Sequence, residues 1–437
     1  MKKAASAILV LFAAGAVLIS CGKYNSSSST NQRPSSGTFR VFVSNPLFTN
    51  GTSTAPVLNV VDALKDLLLP SVVSVGSASP DPGLMVLFPN KRFTLVFSAS
   101  NNSIVVVSNA AESLAQNSSQ NNISITLPGS TESIVVTPDN AGGYAAVPNA
   151  PVIGQAPGLL QVLDLSNGAI SAGVPVSGAR YVAQSHNGNR LLVFGNRPRT
   201  VTVIAPSSIG TAADPRTDIQ NPLFDHPVWA AFSSDDSTAY ILSCGPECGG
   251  TAASVTALDM NTNPPLPGPS IPVDAGTIGL LSGNTLYVAG TKPGANCSAS
   301  STPTLATACG EVSVVDLGSG AVTATATITD GFHTRMEMGV NSQLFIGART
   351  CTNLNVPASG SNSGEIRGCL SIFNITKSTV VVPAVTGNVT GIQPISNRSV
   401  VYVAQSGEIQ IYDTTTDKPQ TTQVDIIGQA VDVKQVD

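Results

Sequence analysis

One arrangement of residues recurs eight times along this chain. Each copy has a short run that ends in a turn, an apolar run with an aromatic residue, and two Val- or Ile-rich runs. The aromatic run is clearest at 39–44, 284–289, 343–347 and 399–404, and its successor is clearest at 58–62, 159–164, 311–316 and 408–413. The copies are spaced by about 45 residues, a period typical of folds whose repeated units bury apolar surface against their neighbours.

This period predicts an all-β fold, a single β-propeller with eight four-stranded blades. The second and third runs of each copy are apolar throughout, as expected where adjacent blades cover both faces of a sheet. Radial repetition also allows 437 residues to form one domain. The predicted innermost strands are 84–87, 133–136, 180–183, 228–232, 277–280, 334–338, 391–395 and 430–433.

The two ends of the repeat region do not match. The first copy begins at its aromatic second strand near Phe39, whereas the last copy is followed by an additional inner strand at 430–433. We therefore expect the C-terminal strand to complete the first blade and close the ring, which leaves no open edge between the last blade and the first. The predicted propeller domain spans residues 39–437.

The N-terminus has the pattern of an export signal. Met1-Lys-Lys is basic and 7–19 is apolar, so residues 1–20 are predicted to be a signal peptide. The sequence Leu-Ile-Ser-Cys at 18–21 resembles a bacterial lipobox, and this resemblance implies a lipidated N-terminus at Cys21. The alternative is an ordinary signal peptide with a chance cysteine.

Lipid on Cys21 would anchor the protein to a membrane without a spanning helix. The Ser- and Asn-rich residues 21–38 are predicted to be a flexible tether. Gly22 differs from the Asp that retains many lipoproteins at the inner membrane, so that resemblance favours the outer membrane. We expect the domain to lie in the periplasm or at the cell surface.

The repeats resemble those of bacterial YVTN-type and lactonase-like β-propellers, a WD-repeat-like class. The matching segments are 287–289, 345–347 and 402–404, together with the strand-and-turn segments 315–320 and 412–417. Those relatives usually carry seven blades, so seven blades are the alternative count. The resemblance implies an architecture and specifies little chemistry, because propellers host many functions.

Six cysteines remain after Cys21, and they form three pairs within second-to-third strand connections. An exported compartment permits disulfide bonds, and pairing within each loop is the simplest connectivity. The predicted pairs are Cys244 with Cys248, Cys297 with Cys309, and Cys351 with Cys369. The alternative is a metal site in which Cys244-Gly-Pro-Glu-Cys248 supplies two ligands.

The paired cysteines lie on the rim that also carries the blade-to-blade crossings. Long loops at 295–310 and 350–368 share this rim, and loops of such length are commonly functional. The predicted partner on this rim is a protein or a glycan. The alternative is that the loops are tolerated insertions held against proteolysis.

Charged and aromatic residues are expected to converge at the channel mouth on the same rim. Polar groups in an apolar setting are typical of a ligand site, although such residues also hold water and satisfy strand ends. The candidate binding residues are Arg180, Asp225, His226, Trp229, Asp330, His333, Arg335 and Glu337.

Composition and missing motifs limit the function. Charged residues are 11% and the net charge is −5, which argues against a nucleic-acid partner because nucleic acids require a basic surface. No motif for a nucleophile elbow, a phosphate loop, a zinc protease or a haem attachment occurs, so the catalytic residues are unknown and no metal or cofactor is predicted.

These observations favour a membrane-anchored envelope lipoprotein whose propeller is a binding or scaffold module, and not an enzyme. The alternative is a lactonase-like hydrolase that uses His226, His333 and Arg335 at the channel mouth. A third hypothesis, metal or redox-cofactor binding as in quinoprotein-like propellers, rests on the fewest residues.

Overall fold

The computed structural model describes residues 34–51, 53–294, 303–355 and 365–437. They form eight antiparallel sheets of at least four strands each, which are the blades of one propeller. The predicted all-β fold and the count of eight blades are confirmed, and the alternative count of seven is wrong. The predicted signal peptide, Cys21 and Cys297 lie outside the described residues.

The strands follow one another along the chain from the inside of each blade to its outside. Blade 1 holds β1 (Arg40–Asn50), β2 (Ser53–Asp62) and β3 (Leu67–Ser74), and blade 2 holds β4 (Pro82–Leu87), β5 (Phe93–Ser98), β6 (Ser103–Ser108), β7 (Ser113–Leu114) and β8 (Ser124–Thr126). Blade 3 holds β9 (Ser133–Val136), β10 (Gly142–Val147), β11 (Leu159–Asp164) and β12 (Ala169–Pro175). Blade 4 holds β13 (Tyr181–Gln184), β14 (Leu191–Phe194), β15 (Thr200–Ile204) and β16 (Arg216–Gln220).

The second half of the chain repeats this order. Blade 5 holds β17 (Pro227–Phe232), β18 (Thr238–Ser243), β19 (Ser254–Asp259) and β20 (Leu266–Pro272), and blade 6 holds β21 (Ile278–Ser282), β22 (Thr285–Thr291), β23 (Gly310–Asp316) and β24 (Ala321–Ile328). Blade 7 holds β25 (Phe332–Met338), β26 (Gln343–Arg349), β29 (Leu370–Asn374) and β30 (Thr379–Val381), with the small hairpin β27 (Leu354–Asn355) and β28 (Ile366–Arg367) in its loop. Blade 8 holds β31 (Val389–Pro394), β32 (Val400–Gln405), β33 (Glu408–Asp413) and β34 (Lys418–Pro419), and the last strand is β35 (Asp432–Gln435). Four short 3₁₀ helices lie at Gly76–Ala78, Pro206–Ser208, Gly245–Cys248 and Leu305–Thr307.

Burial follows the position of a strand within its blade. All six residues of β32, a second strand, are buried, because blades on either side cover both faces of the sheet. The outer strand β24 alternates between exposed and partly covered positions. The core is therefore a ring of apolar layers between blades, and Tyr402, Phe42 and Phe345 are among its largest fully buried side chains.

The C-terminal strand closes the ring as predicted. β35 pairs antiparallel with β1, with Val433 opposite Val43 and Gln435 opposite Val41. The innermost strands of all eight blades then contact their neighbours in an unbroken circle around the axis. Val433 and Val436 are buried by this pairing.

Two rims follow from this topology. The chain enters each innermost strand at one end and leaves it through a hairpin at the other. The rim that carries the blade-to-blade crossings and the second-to-third strand loops is called the upper rim here, and the opposite rim is the lower rim.

The described end of the predicted tether contacts the propeller. The Ser35 N–H donates to Glu112 Oε2 at 2.6 Å, and Arg40 Nη1 lies 2.8 Å from Glu112 Oε1. The chain therefore approaches the propeller beside blades 1 and 2. Among the residues the structure describes, no helix has the length and apolarity to cross a bilayer.

Candidate functional site: the upper rim and the axial channel

Asp225 and His226 lie on the crossing into blade 5, on the upper rim. His226 Nδ1 lies 2.8 Å from Asp225 Oδ1, and Asp225 Oδ2 accepts hydrogen bonds from the N–H groups of Thr251 (2.6 Å) and Ala252 (2.8 Å). Burial opposes ionisation of Asp225, but these backbone donors together with His226 hold its pKa below the usual range. Asp225 is therefore an ionised group that organises the loop of blade 5.

His333 does not reach the channel mouth, which differs from the prediction. Its side chain is 1% exposed, and Nε2 lies 3.0 Å from the Thr329 carbonyl oxygen. Burial lowers the pKa of His333 to about 4, against a smaller opposing effect of that hydrogen bond. Asp330 nearby accepts from the Thr352 N–H at 2.6 Å. His333 is thus a neutral structural histidine in blade 7, two blades from His226.

Trp229 and Arg180 lie where the chain enters blades 5 and 4. The indole of Trp229 covers Gly279 of blade 6, where a Cβ atom would come within 2.7 Å of the ring. Trp229 also neighbours Tyr181, and burial raises the pKa of that tyrosine. Arg180 is exposed, with its Nε 3.4 Å from Asn196 Oδ1.

Arg335 and Glu337 lie on β25 and belong to a charged group that the sequence prediction identified only in part. Arg335 donates from Nε to the Thr390 carbonyl at 2.8 Å, which joins blade 7 to blade 8. Glu337 interacts electrostatically with Lys434 and Asp432 of β35 as well as with Arg335. The C-terminal strand therefore contributes two charged residues to the channel.

Asp432 and Lys434 are not among the candidate binding residues predicted from the sequence. Segment 430–433 was predicted to be an innermost strand, and innermost strands line the channel. Asp432 lies within that predicted strand and could be selected on the same grounds as Arg335, whereas Lys434 lies one residue beyond the predicted strand and is reached by the observed strand β35.

An ion pair crosses the top of the channel. Arg349 ends β26 in blade 7 and Glu132 precedes β9 in blade 3, and their Nη1 and Oε1 atoms lie 3.6 Å apart. Blades 3 and 7 are diametrically opposite in a ring of eight. The two side chains must therefore meet above the axis, and this pair is called the mouth bridge below.

Disulfide bonds hold two loops of the upper rim. Cys244 is bonded to Cys248 and Cys351 to Cys369, two of the three predicted pairs. Cys309 is also disulfide-bonded, and its predicted partner Cys297 lies outside the described residues. Because bonded sulfurs are not free thiolate ligands, the alternative metal site at 244–248 does not form.

The Cys244–Cys248 turn carries a partly buried carboxyl group, that of Glu247. Glu247 Oε2 accepts from the Thr291 N–H of blade 6 at 2.9 Å. Burial raises the pKa of Glu247 to about 7, and the hydrogen bond from Thr291 offsets part of that rise. Within the part of the chain that the structure describes, no group of three His, Cys, Asp or Glu side chains is placed to hold a metal ion.

Exposed large apolar side chains occur on the upper rim and elsewhere on the surface. Six of the eleven that the described residues carry lie on the upper rim, and the other five lie in lower-rim hairpins or on outer strands: Leu64, Leu67, Ile170, Leu266 and Val340. Ile153, at the tip of the blade 3 loop, is 101% exposed, and Leu47 of blade 1 is 51% exposed. Leu47 lies beside the crossing that carries Ile427, because Asn45 Nδ2 donates to the Ile427 carbonyl at 3.0 Å. The other exposed large apolar residues of this rim are Leu223, Phe332 and Ile366.

Comparison with known proteins shows the fold and no family. No family model matches the chain, and no curated protein matches it. Among solved structures, the dihydro-heme d1 dehydrogenase NirN in complex with DHE is 11% identical, covers 93% of this chain and 77% of its own, and has a TM-score of 0.61.

Two other solved structures are more distant. A putative 6-phosphogluconolactonase from Bacteroides uniformis ATCC 8492 is 16% identical over 90% of this chain and 98% of its own, with a TM-score of 0.47. Hydrazine synthase from Kuenenia stuttgartiensis is 13% identical over 77% of each chain, with a TM-score of 0.42. At 11% identity, the likeness to NirN shows the fold alone.

Proposed function

We propose that this protein is a binding module of the bacterial cell envelope, anchored by lipid on Cys21, whose upper rim binds a partner protein. The observation that carries the proposal is that this rim combines six exposed Leu, Ile and Phe side chains with the disulfide-bonded loops. Exposed apolar groups that cluster on one face of a soluble domain mark interaction surfaces, whereas single ones are ordinary. Aliphatic side chains supply the kind of area that a protein interface buries.

Rigidity of the rim supports recognition. The bonds Cys244–Cys248 and Cys351–Cys369 restrain two of its loops, and Asp225 fixes the backbone of residues 251 and 252. Loops that are already held in shape lose less conformational entropy when a partner binds.

Photo-crosslinking from the intact, membrane-tethered protein tests the proposal. A photoreactive amino acid replaces Ile153 on the upper rim or, as a matched control, Leu266 on the outer strand β20, which is 61% exposed. We expect one envelope protein to be captured from position 153 and not from position 266. Equal capture from both positions, or none from position 153, contradicts the proposal.

The anchor is tested separately with Cys21→Ser. We expect this variant to leave the membrane fraction, because it lacks the acyl chains that would partition into the bilayer. Continued membrane association would contradict the lipid anchor while leaving the rim proposal standing.

A further inference from the structure

We propose that the axial channel contains a binding site for a small zwitterion with an apolar side chain, of the α-amino acid type. Its ammonium group would meet Glu337, its carboxylate Lys434, and its side chain Trp229. This site is separate from the upper-rim partner surface and does not depend on it.

Strand pairing sets the charged residues in two layers. Phe345, Tyr402 and Phe42 are the aromatic positions of the second strands in blades 7, 8 and 1. They pair with Glu337, Gln393 and Lys434, respectively. Glu337 and Lys434 therefore lie at the same depth of the channel, on inner strands separated by that of blade 8.

The layer above contains Arg335, Gly391 and Asp432. Their partners are Gly347, Ala404 and Ser44, which again occupy one level of the second strands. Gly391 is required at this position, because a Cβ atom there would lie 2.7 Å from Asp432 Oδ1. Because Gly391 has no side chain, Arg335 of blade 7 and Asp432 of blade 1 can approach each other across blade 8.

The two layers differ in how their charges are satisfied. Arg335 donates from Nε to the Thr390 carbonyl, and Asp432 Oδ2 accepts from the Met85 N–H at 2.8 Å, so the upper layer is bonded to the protein itself. Glu337 and Lys434 form no hydrogen bond and no ion pair with any residue that the structure describes, although both are more than half buried. Burial raises the pKa of Glu337, with Lys434 and Arg335 acting in the opposite direction.

Glu337 and Lys434 are partly buried, so their charges are only partly hydrated, and a ligand of complementary charge can replace the missing hydration with direct contacts. Glu337 and Lys434 have opposite signs, so a ligand that carries both an ammonium and a carboxylate satisfies both with charge-assisted hydrogen bonds. An anion or a cation alone satisfies only one of them.

The opposite wall of the channel is aromatic. Blades 4 and 5 lie across the axis from blades 8 and 1, and they place Tyr181 and Trp229 at the level of Arg335 and Asp432, one layer above Glu337 and Lys434. A site that combines an aromatic wall with a few convergent charges is the usual form of a small-molecule pocket. The ligand's side chain would pack on Trp229, which is held against Gly279 of blade 6.

Trp229 is the only tryptophan of the chain, so its fluorescence reports on the channel. The full-length protein is titrated with L-phenylalanine, with phenethylamine, which lacks the carboxylate, and with 3-phenylpropionate, which lacks the ammonium. We expect a saturable change in Trp229 emission with L-phenylalanine, and binding at least about tenfold weaker with each truncated analogue, as for loss of one charge-assisted hydrogen bond. No saturable response to L-phenylalanine, or equal binding of either analogue, overturns the proposal.

Substitutions test whether Glu337 and Lys434 each contribute to ligand binding. Glu337→Gln and Lys434→Met should each weaken L-phenylalanine binding at least about tenfold. Lys418→Met, on the exposed outer strand β34, is the matched control and should bind as the wild type does. Calorimetry and thermal melts establish that each variant is folded, and a folded Glu337→Gln or Lys434→Met variant with unchanged affinity contradicts the assignment. Rim crosslinking from position 153 is independent of this result.

Discussion

Arg398 of blade 8 and Asp66 of blade 1 form an ion pair through both terminal guanidinium nitrogens, although 332 residues separate them in sequence. Arg398 Nη2 lies 2.9 Å from Asp66 Oδ2, and the Tyr402 hydroxyl donates to the same carboxylate. Burial opposes ionisation of Asp66, but the hydrogen bonds from Arg398 and Tyr402 lower its pKa overall. This contact joins the last blade to the first one.

Replacement of Arg398 should weaken the closed ring. Arg398→Met leaves the half-buried Asp66 carboxylate with Tyr402 alone, and we expect a loss of on the order of 2 kcal/mol in the free energy of unfolding. Denaturant unfolding measures the change. Arg199→Met, which alters an exposed arginine with no side-chain bond among the described residues, is the control. Equal stability of the two variants would contradict a closing role for Arg398.

Deletion of residues 428–437 should destabilise the propeller more strongly. The truncation removes β35 and exposes the edge of β1, and it removes the buried side chains of Val433 and Val436. Burial of two valines contributes on the order of 4 kcal/mol, so we expect the melting temperature to fall by roughly 5 °C in a domain of this size. A truncated protein that melts like the full chain would refute closure by the C-terminal strand.

Opening the mouth bridge should make Trp229 more accessible. Arg349→Met removes the ion pair with Glu132 and should increase the quenching of Trp229 fluorescence by acrylamide, a neutral quencher. Because the pair is partly exposed, stability should change by less than about 1 kcal/mol. Arg199→Met again serves as the control, and quenching that is the same in both variants means that the bridge does not cover the channel.

Glu247 should make the protein less stable as the pH rises. Burial raises its pKa from 4.5 to about 7, so between these pH values the unfolded chain releases a proton that the folded chain retains. Stability therefore falls with increasing pH across that range, by roughly 2 to 3 kcal/mol for a group that is not fully buried. Glu247→Gln should remove this fall while its side-chain oxygen still accepts from Thr291. Glu408→Gln, whose carboxyl also accepts a backbone N–H, should keep the wild-type profile.

His333 should have the opposite effect at acid pH. Its pKa is lowered from 6.5 to about 4 by burial, so the unfolded chain binds a proton first as the pH falls. Stability is lost between these pH values as acid is added, by on the order of 3 kcal/mol. His333→Gln should abolish this loss in pH-dependent unfolding, whereas exposed His186→Gln should retain it. An unchanged acid profile in His333→Gln would show that His333 is not buried as a neutral group.

The architecture could be predicted from the sequence because it depends on a repeated apolar pattern. Six of the eight second strands carry an aromatic residue at the same position, as in Phe42, Phe345 and Tyr402, and the extra strand after the last repeat predicts the closing contact with β1. Both features follow from the repeat period and from the strand that the first repeat lacks and the C-terminus supplies.

The orientation of side chains along the inner strands could not be predicted in the same way. A register shift separates His333 from Arg335 in β25, and another separates Pro227 from Trp229 in β17. Each shift changes which side chains face the channel, and no residue pattern signals it. Contacts such as Arg349 with Glu132 join distant segments and depend on the diameter of the ring.

The most direct test of the account is the affinity between the upper rim and the protein captured from position 153. Ile153→Ser and Leu47→Ser remove exposed apolar side chains from the rim, and Leu266→Ser removes one from the outer strand of blade 5. The account predicts that each rim substitution weakens binding about tenfold, a typical effect for an apolar contact buried in an interface, and that Leu266→Ser binds like the wild type. Rim variants that bind with wild-type affinity, or a Leu266→Ser variant that is equally impaired, would contradict it.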